Sequence, residues 1–279
     1  HRDLHSFPTR RSSDLNPQDV ALVSTCKAYV SLYQKNFLQI VDPTAGATVD
    51  GTAVVPLAEY ADADGLPEAA FVLAHGGRVY VAIQNLVDWA ASRAGRLVVV
   101  DPATDAVEAA IELTSPNPFS PIVAVDDTRL AVGCVGDFSG ISGGIELVDT
   151  VAGTATLAVS SADLGGVVTD LVMEDAALGF EGAACGFALV NTPEWTSGIR
   201  RFCLTDGQGG PGAAGDWLVA PGPYTVVGLA LIDDILYFAE ATADAPGVRF
   251  VDLALPEAVS ERLATGLPPG FAKPFTPLP

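Results

Sequence analysis

Apolar and polar positions alternate along this chain in short runs broken by tight polar turns, and amphipathic patterns of helical length are scarce. The clearest run is an apolar strand at 71–74, the turn His75-Gly76-Gly77, and a second strand at 78–83. A loop through Trp89 then leads to a third strand that opens on Gly95 and closes on Asp101, and 107–113 supplies a fourth. The same phrase returns at 122–149, around the turn Asp126-Asp127-Thr128, and at 226–252, around Asp233-Asp234. A first unit begins at Asp19 and passes through 27–30 to 37–42. Strand-ending aspartates therefore fall at 42, 101, 149 and 252. The last interval is about two repeats long, and a degenerate unit fits inside it at 167–173, 185–190 and 198–204.

About five units result, each with three or four short strands, which is the spacing of propeller blades. The predicted fold is all-β: a β-propeller of four-stranded antiparallel blades at approximately 16–60, 61–114, 115–164, 165–222 and 223–270. The recurring aspartates are read as turn caps. In Asp42-Pro43-Thr44 and Asp101-Pro102-Ala103-Thr104 the carboxylate can accept from backbone N–H groups, and Pro supplies the φ near −65° that the turn needs. The Gly-rich tract 206–215 has neither Lys nor helix after it and is read as a connection.

Two resemblances follow from these residues. Residues 1–15, from His1 to Leu15, resemble the translation of a common sequencing adapter; they are expected to be a disordered artefact and are set apart from the fold. That resemblance implies that the natural start, with any export signal, lies upstream of Asn16. Residues 78–82 and 95–111, and more loosely 27–42, resemble the YVTN-type β-propeller repeat, although the Thr-Asn of that repeat is replaced by Ser31-Leu32 and Ala82-Ile83. The resemblance implies an exported, non-catalytic protein, and a seven-bladed ring of which about five blades are present.

Without the first fifteen residues, 264 remain, with 11 basic and 32 acidic side chains. Such acidity argues against nucleic acid, whose binders neutralise phosphates with Lys and Arg, and against anionic lipid. No apolar run reaches the roughly 18 residues of a membrane helix. The expected state is a monomer, periplasmic or at the cell surface.

None of the four cysteines has the spacing of a zinc or redox site. If residues 191–197 close a hairpin centred on Glu194, Cys185 and Cys203 lie equidistant from its centre on neighbouring strands, close enough to bond in an oxidising compartment. Two buried thiols are the alternative. Cys26 and Cys134 belong to non-adjacent units and are expected to be free.

Candidate chemistry gathers on one predicted face. The loops joining second and third strands carry Asp88 and Trp89, Phe138, and Glu194 and Trp195. Loop-borne aromatics on a rigid scaffold suit recognition of a protein or glycan, though Trp at blade edges also covers neighbouring blades. On the same face Asp62, Asp64 and Glu68, with Asn117 one unit later, suggest a calcium site; an ordinary solvated turn is the competing reading because the EF-hand pattern is not met. No other cofactor is expected. Enzyme signatures are weak: His75 is the one histidine beyond the adapter-like stretch, and no nucleophile elbow, P-loop or dinucleotide fingerprint occurs. The remaining catalytic reading is a metal-dependent lactonase of propeller type, in which Glu68, Asn117 and Asp170 would converge on a divalent cation.

Overall fold

A computed structural model describes residues 15–44, 53–137, 142–174, 184–205, 211–223, 226–256 and 259–270. Five four-stranded antiparallel sheets follow one another along the chain. Blade 1 comprises β1 (Pro17–Ser24), β2 (Lys27–Leu32), β3 (Phe37–Val41) and β4 (Val54–Pro56). Blade 2 comprises β5 (Ala69–His75), β6 (Arg78–Ile83), β9 (Arg96–Asp101) and β10 (Ala106–Glu112), with a two-stranded ribbon, β7 (Leu86–Val87) and β8 (Ala90–Ala91), rising between β6 and β9. Blade 3 holds β11 (Val123–Ala124), β12 (Arg129–Cys134), β13 (Gly144–Asp149) and β14 (Thr154–Ser160). One helical turn, α1 (Ser161–Leu164), leads to blade 4: β15 (Val167–Met173), β16 (Cys185–Asn191), β17 (Thr196–Thr205) and β18 (Pro211–Pro223). Blade 5 is β19 (Val226–Ile232), β20 (Ile235–Glu240), β21 (Gly247–Asp252) and β22 (Leu263–Ala264). The strand β18 corrects the reading of the Gly-rich tract: its second half, from Pro211, is strand paired with β17, with Gly212 against the Cys203 carbonyl, where a side chain would clash.

Alternation sorts each central strand between two neighbours. From β6, Val79, Val81 and Ile83 enter the core shared with blade 1, while Tyr80 and Ala82 enter the core shared with blade 3. Strand β9 does the same, with Val98 and Val100 on one side and Leu97 and Val99 on the other. In β16, Ala188 and Val190 face blade 3, and Phe187 and Leu189 face blade 5. Sheets covered on both faces become continuous apolar runs, which explains the uninterrupted 97–100. At the first blade the pattern relaxes: Ala21 is buried, but Val20 and Leu22 of the same strand are exposed.

The turn aspartates behave as caps. Asp42 accepts from Thr44 N (2.8 Å), Asp101 from Ala103 N (2.9 Å), Asp149 from Val151 N (2.9 Å) and Asp252 from Ala254 N (2.9 Å). The bonds from Ala103 and then Thr104 hold the Asp101 carboxyl below the usual range, despite its exposure.

Two other carboxylates tie blade to blade. Asp19 accepts from its neighbour Val20 N (2.9 Å) and from Val72 N on β5 (3.2 Å). Asp170 accepts from Leu171 N (2.8 Å) and from Leu229 N on β19 (2.9 Å). Both sit at a bulge near the start of an innermost strand, so the extra residue aims the side chain sideways into the next blade. Cys185 and Cys203 stand directly opposite in register and form a disulfide, with Cα atoms 3.9 Å apart. Cys26 is a free exposed thiol and Cys134 a free buried one, whose burial, with the nearby Glu146 charge, pushes its pKa up and leaves it a weak nucleophile.

Replacing Asp170 by Ala would leave two N–H groups at the blade 4–5 junction without their carboxylate. At about 1–3 kcal/mol for each buried unsatisfied donor, the loss in unfolding free energy should be roughly 2–6 kcal/mol. Urea titration of the variant measures it, and a change below about 0.5 kcal/mol would rule out the clamp.

Candidate functional site

The connections between second and third strands and those between blades open on one face, here called the upper face. In blade 2 the ribbon β7–β8 carries Asp88 and Trp89 at its tip, both on left-handed backbone at φ 52° and 67°. Trp89 is 78% exposed, and its ring stacks on Tyr33 of blade 1 at 6.4 Å between centroids and 22° between planes. In blade 4 the β16–β17 connection is closed by Thr192 N donating to the Thr196 carbonyl (2.8 Å) and Trp195 N to the Thr192 carbonyl (3.0 Å). Glu194 is exposed at its tip, and Trp195 is 75% exposed at φ 60°. A bulky side chain on left-handed backbone is uncommon and holds strain. Two tryptophans are thus presented to solvent in the same unusual way from two separate blades. Phe138 lies outside the described residues.

At the base of this face the chain enters each blade through a repeated corner. Asn16, Glu68 and Asn117 all have positive φ (44°, 49° and 59°), and each carbonyl accepts from the residue that follows a second strand or its neighbour: Tyr33 N (2.9 Å), Gln84 N (3.3 Å) and Val135 N (3.0 Å). In blades 2 and 3 the preceding Pro67 and Pro116 carbonyls accept one residue further on, from Asn85 N (3.3 Å) and Gly136 N (3.2 Å). Glu68 and Asn117 therefore occupy one structural position in successive blades.

Glu68 is 3% exposed, and its Oε2 accepts from Leu86 N at 2.9 Å. Burial pushes its pKa up to about 7, opposed by the Leu86 bond and reinforced by the charges of Asp64 and Asp62. Burial, and then the Glu68 charge, raise the Tyr33 phenol to about 12. Asn117 is fully buried, and among the described residues neither its Oδ1 nor its Nδ2 has a hydrogen-bond partner; Gln84 Oε1 and Asn85 Oδ1 share that condition. The amide nitrogens of the latter two are engaged, Gln84 Nε2 with the Pro118 carbonyl (3.0 Å) and Asn85 Nδ2 with that of Tyr60 (2.8 Å). Buried polar atoms normally find a partner, so this group marks a place where an additional donor or hard cation has something to bind.

The proposed calcium residues are divided among different partners. Asp62 accepts from the Ser92 hydroxyl and forms an ion pair with Arg93 at 2.6 Å. Asp64 accepts from Leu66 N (2.9 Å), closing its own turn. Among the described residues no three Asp, Glu, His or Cys side chains converge as a cation site. Asp170 is committed to the Leu171 and Leu229 amides of blades 4 and 5. Tyr33 and Gln84 were missed by sequence reasoning. The signal was available in the equivalence of residues just after β2 and β6, but recognising it requires knowing where those strands end.

The neighbours in known structures decide the architecture. It is a β-propeller. The chain is similar to the Kuenenia stuttgartiensis hydrazine synthase (11% identity, TM-score 0.61, covering 88% of this chain and 65% of that one). It is also similar to a chain of a nidogen/laminin complex (13%, 0.57, covering 93% and 85%) and to the dihydro-heme d1 dehydrogenase NirN (14%, 0.51, covering 92% and 59%). It thus spans less than two thirds of the hydrazine synthase and NirN chains. The sequence matches no protein-family model and no curated protein.

Because the Glu68 pKa is higher folded than unfolded, the native state holds the extra proton between about pH 4.5 and 7. Its contribution is most favourable below pH 4.5, falls as pH rises through that window, and is constant above it, for a total of at most about 3 kcal/mol. Glu68→Gln should flatten this slope. Urea midpoints of wild type and variant from pH 4.5 to 7.5 give the difference, and parallel curves would contradict the assignment.

Proposed function

We propose that this protein is a non-catalytic extracytoplasmic propeller of the YVTN type, a monomer that binds a protein or glycan partner through its upper face. The observation that carries this reading is the paired presentation of Trp89 and Trp195, each about three-quarters exposed on left-handed backbone. A large aromatic surface held in a strained conformation costs stability and is retained where it meets a ligand. Asp88 and Glu194 beside them would accept hydrogen bonds from sugar hydroxyls or from basic and amide groups of a protein. The Cys185–Cys203 disulfide suits an oxidising compartment, and among the described residues no helix is long and apolar enough to cross a membrane.

A second reading, a divalent-cation-dependent hydrolase, draws on the base of the same face. Glu68 is buried without a cationic partner among the described residues, and the Asn117 amide oxygen is unpartnered there. Hard oxygens of this kind suit calcium. Asp170 would not take part, since its carboxylate serves the backbone of the next blade.

The double variant Trp89→Ala/Trp195→Ala should keep the wild-type circular dichroism spectrum and lose at least tenfold in affinity for ligands found on a glycan array or a panel of purified envelope proteins. Undiminished binding would remove the rim from consideration. Calorimetry with calcium separates the second reading: micromolar binding abolished by Glu68→Gln would favour it, and no heat would exclude calcium as the cation.

A further inference from the structure

A cleft of about 390 Å³ opens between blades 4 and 5 at the lower end of the sheets, away from the upper face. Its walls are mostly apolar, with Phe187 and Leu218 from blade 4 opposite Leu231 and Leu253 from blade 5. The volume lies in the range of small-molecule pockets. Among the described lining residues the one cation is Arg201, held by Glu174 through two bonds of 2.8 and 2.9 Å, so this guanidinium and this carboxylate largely neutralise one another. At the lip stand Asp233 and Asp234, both exposed, and neither carboxylate has a cation partner among the described residues.

The blades differ in the residue that follows this turn. The second strand begins with Lys27 in blade 1, Arg78 in blade 2 and Arg129 in blade 3, and each of these cations meets a carboxylate: Asp105 at 2.7 Å, Glu108, and Asp126 at 2.6 Å. In blade 5 the same position is Ile235, so the start of that strand supplies no cation. The lower end of the blade 2–3 junction is also bridged, by the His75 Nε2 contact with the Asp126 carbonyl at 2.9 Å.

We propose that this cleft binds a small amphiphilic amine, with its hydrocarbon part between Phe187 and Leu231 and its ammonium group at Asp233 and Asp234. The apolar walls favour the chain through removal of its surface from water. The two carboxylates favour a cation, and the strongly acidic chain raises the local concentration of one. An anion of the same shape meets two uncompensated negative charges and an arginine that is already engaged.

The test uses three probes with one hydrocarbon chain: n-octylammonium, 1-octanol and octanoate, each titrated below its micelle concentration into the full chain by calorimetry. One molecule of octylammonium should bind per chain, at least tenfold more tightly than octanol, with octanoate weakest. Asp233→Asn/Asp234→Asn should bring octylammonium down to the affinity of octanol. Ile235→Arg, which restores the cation of blades 1–3, should weaken octylammonium in the same direction while leaving octanol within about twofold. Circular dichroism confirms that both variants fold. Equal binding of the amine and the alcohol, absence of binding up to millimolar concentration, or multiple amines bound irrespective of the substitutions would each overturn the proposal. The upper-face reading does not depend on the outcome, because Trp89 and Trp195 lie at the other end of the blades.

Discussion

Face-to-face packing of sheets through alternating side chains is the interaction on which this molecule rests. A four-stranded antiparallel sheet has two faces, and in blades 2, 3 and 4 both are covered by apolar partners. Each inner strand must therefore be apolar at odd and even positions alike, and each blade is stable only in the company of its neighbours. Cores join blade 1 to 2, 2 to 3, 3 to 4 and 4 to 5, so stabilisation is passed along the chain as a series of nearest-neighbour contacts. Glycines are part of the fit: a Cβ at Gly133 would meet Val168 of the next blade at 2.7 Å.

This packing also decides where chemistry can reside. Between innermost strands the carboxylates of Asp19 and Asp170 are committed to backbone donors of the next blade. The candidate chemistry lies on the strand connections. On the upper face these connections hold the corner residues Asn16, Glu68 and Asn117 in one backbone geometry while their side chains differ. One scaffold position thus carries an amide, a buried carboxyl with a raised pKa, and an unpartnered amide in succession. Lower-face turns differ likewise: the second strand starts on Lys27, Arg78 or Arg129 in blades 1–3 and on Ile235 in blade 5, after the exposed pair Asp233 and Asp234.

Much of the fold was legible because it depends on local repetition. The phrase from 71 to 101 contains its own strand lengths, its turn residues and its capping aspartate, and the return of that phrase announces the blade. Cys185 and Cys203 could be placed opposite one another in advance because a hairpin centre fixes its register, and the structure decides for the bond over two thiols. The Gly-rich tract was misread because glycine and proline ordinarily interrupt strands, whereas an outermost strand at the blade edge tolerates both.

The candidate sites were less legible. Sequence placed Trp89 and Trp195 on loops of one face, but only the tertiary structure showed that both stand on left-handed backbone and that Trp89 stacks on Tyr33, a residue of another blade. Asp62, Asp64 and Glu68 look like a single ligand set in sequence, yet Arg93, the Asp64 turn and burial draw them to different partners. By itself, the sequence determined the strand repeat, the turn chemistry, the register that opposes Cys185 and Cys203, and the acidic character, all of which arise from short-range pattern or composition. The tertiary structure decided which polar atoms are buried without partners and which clefts remain open, because those depend on contacts between blades that are distant in the chain.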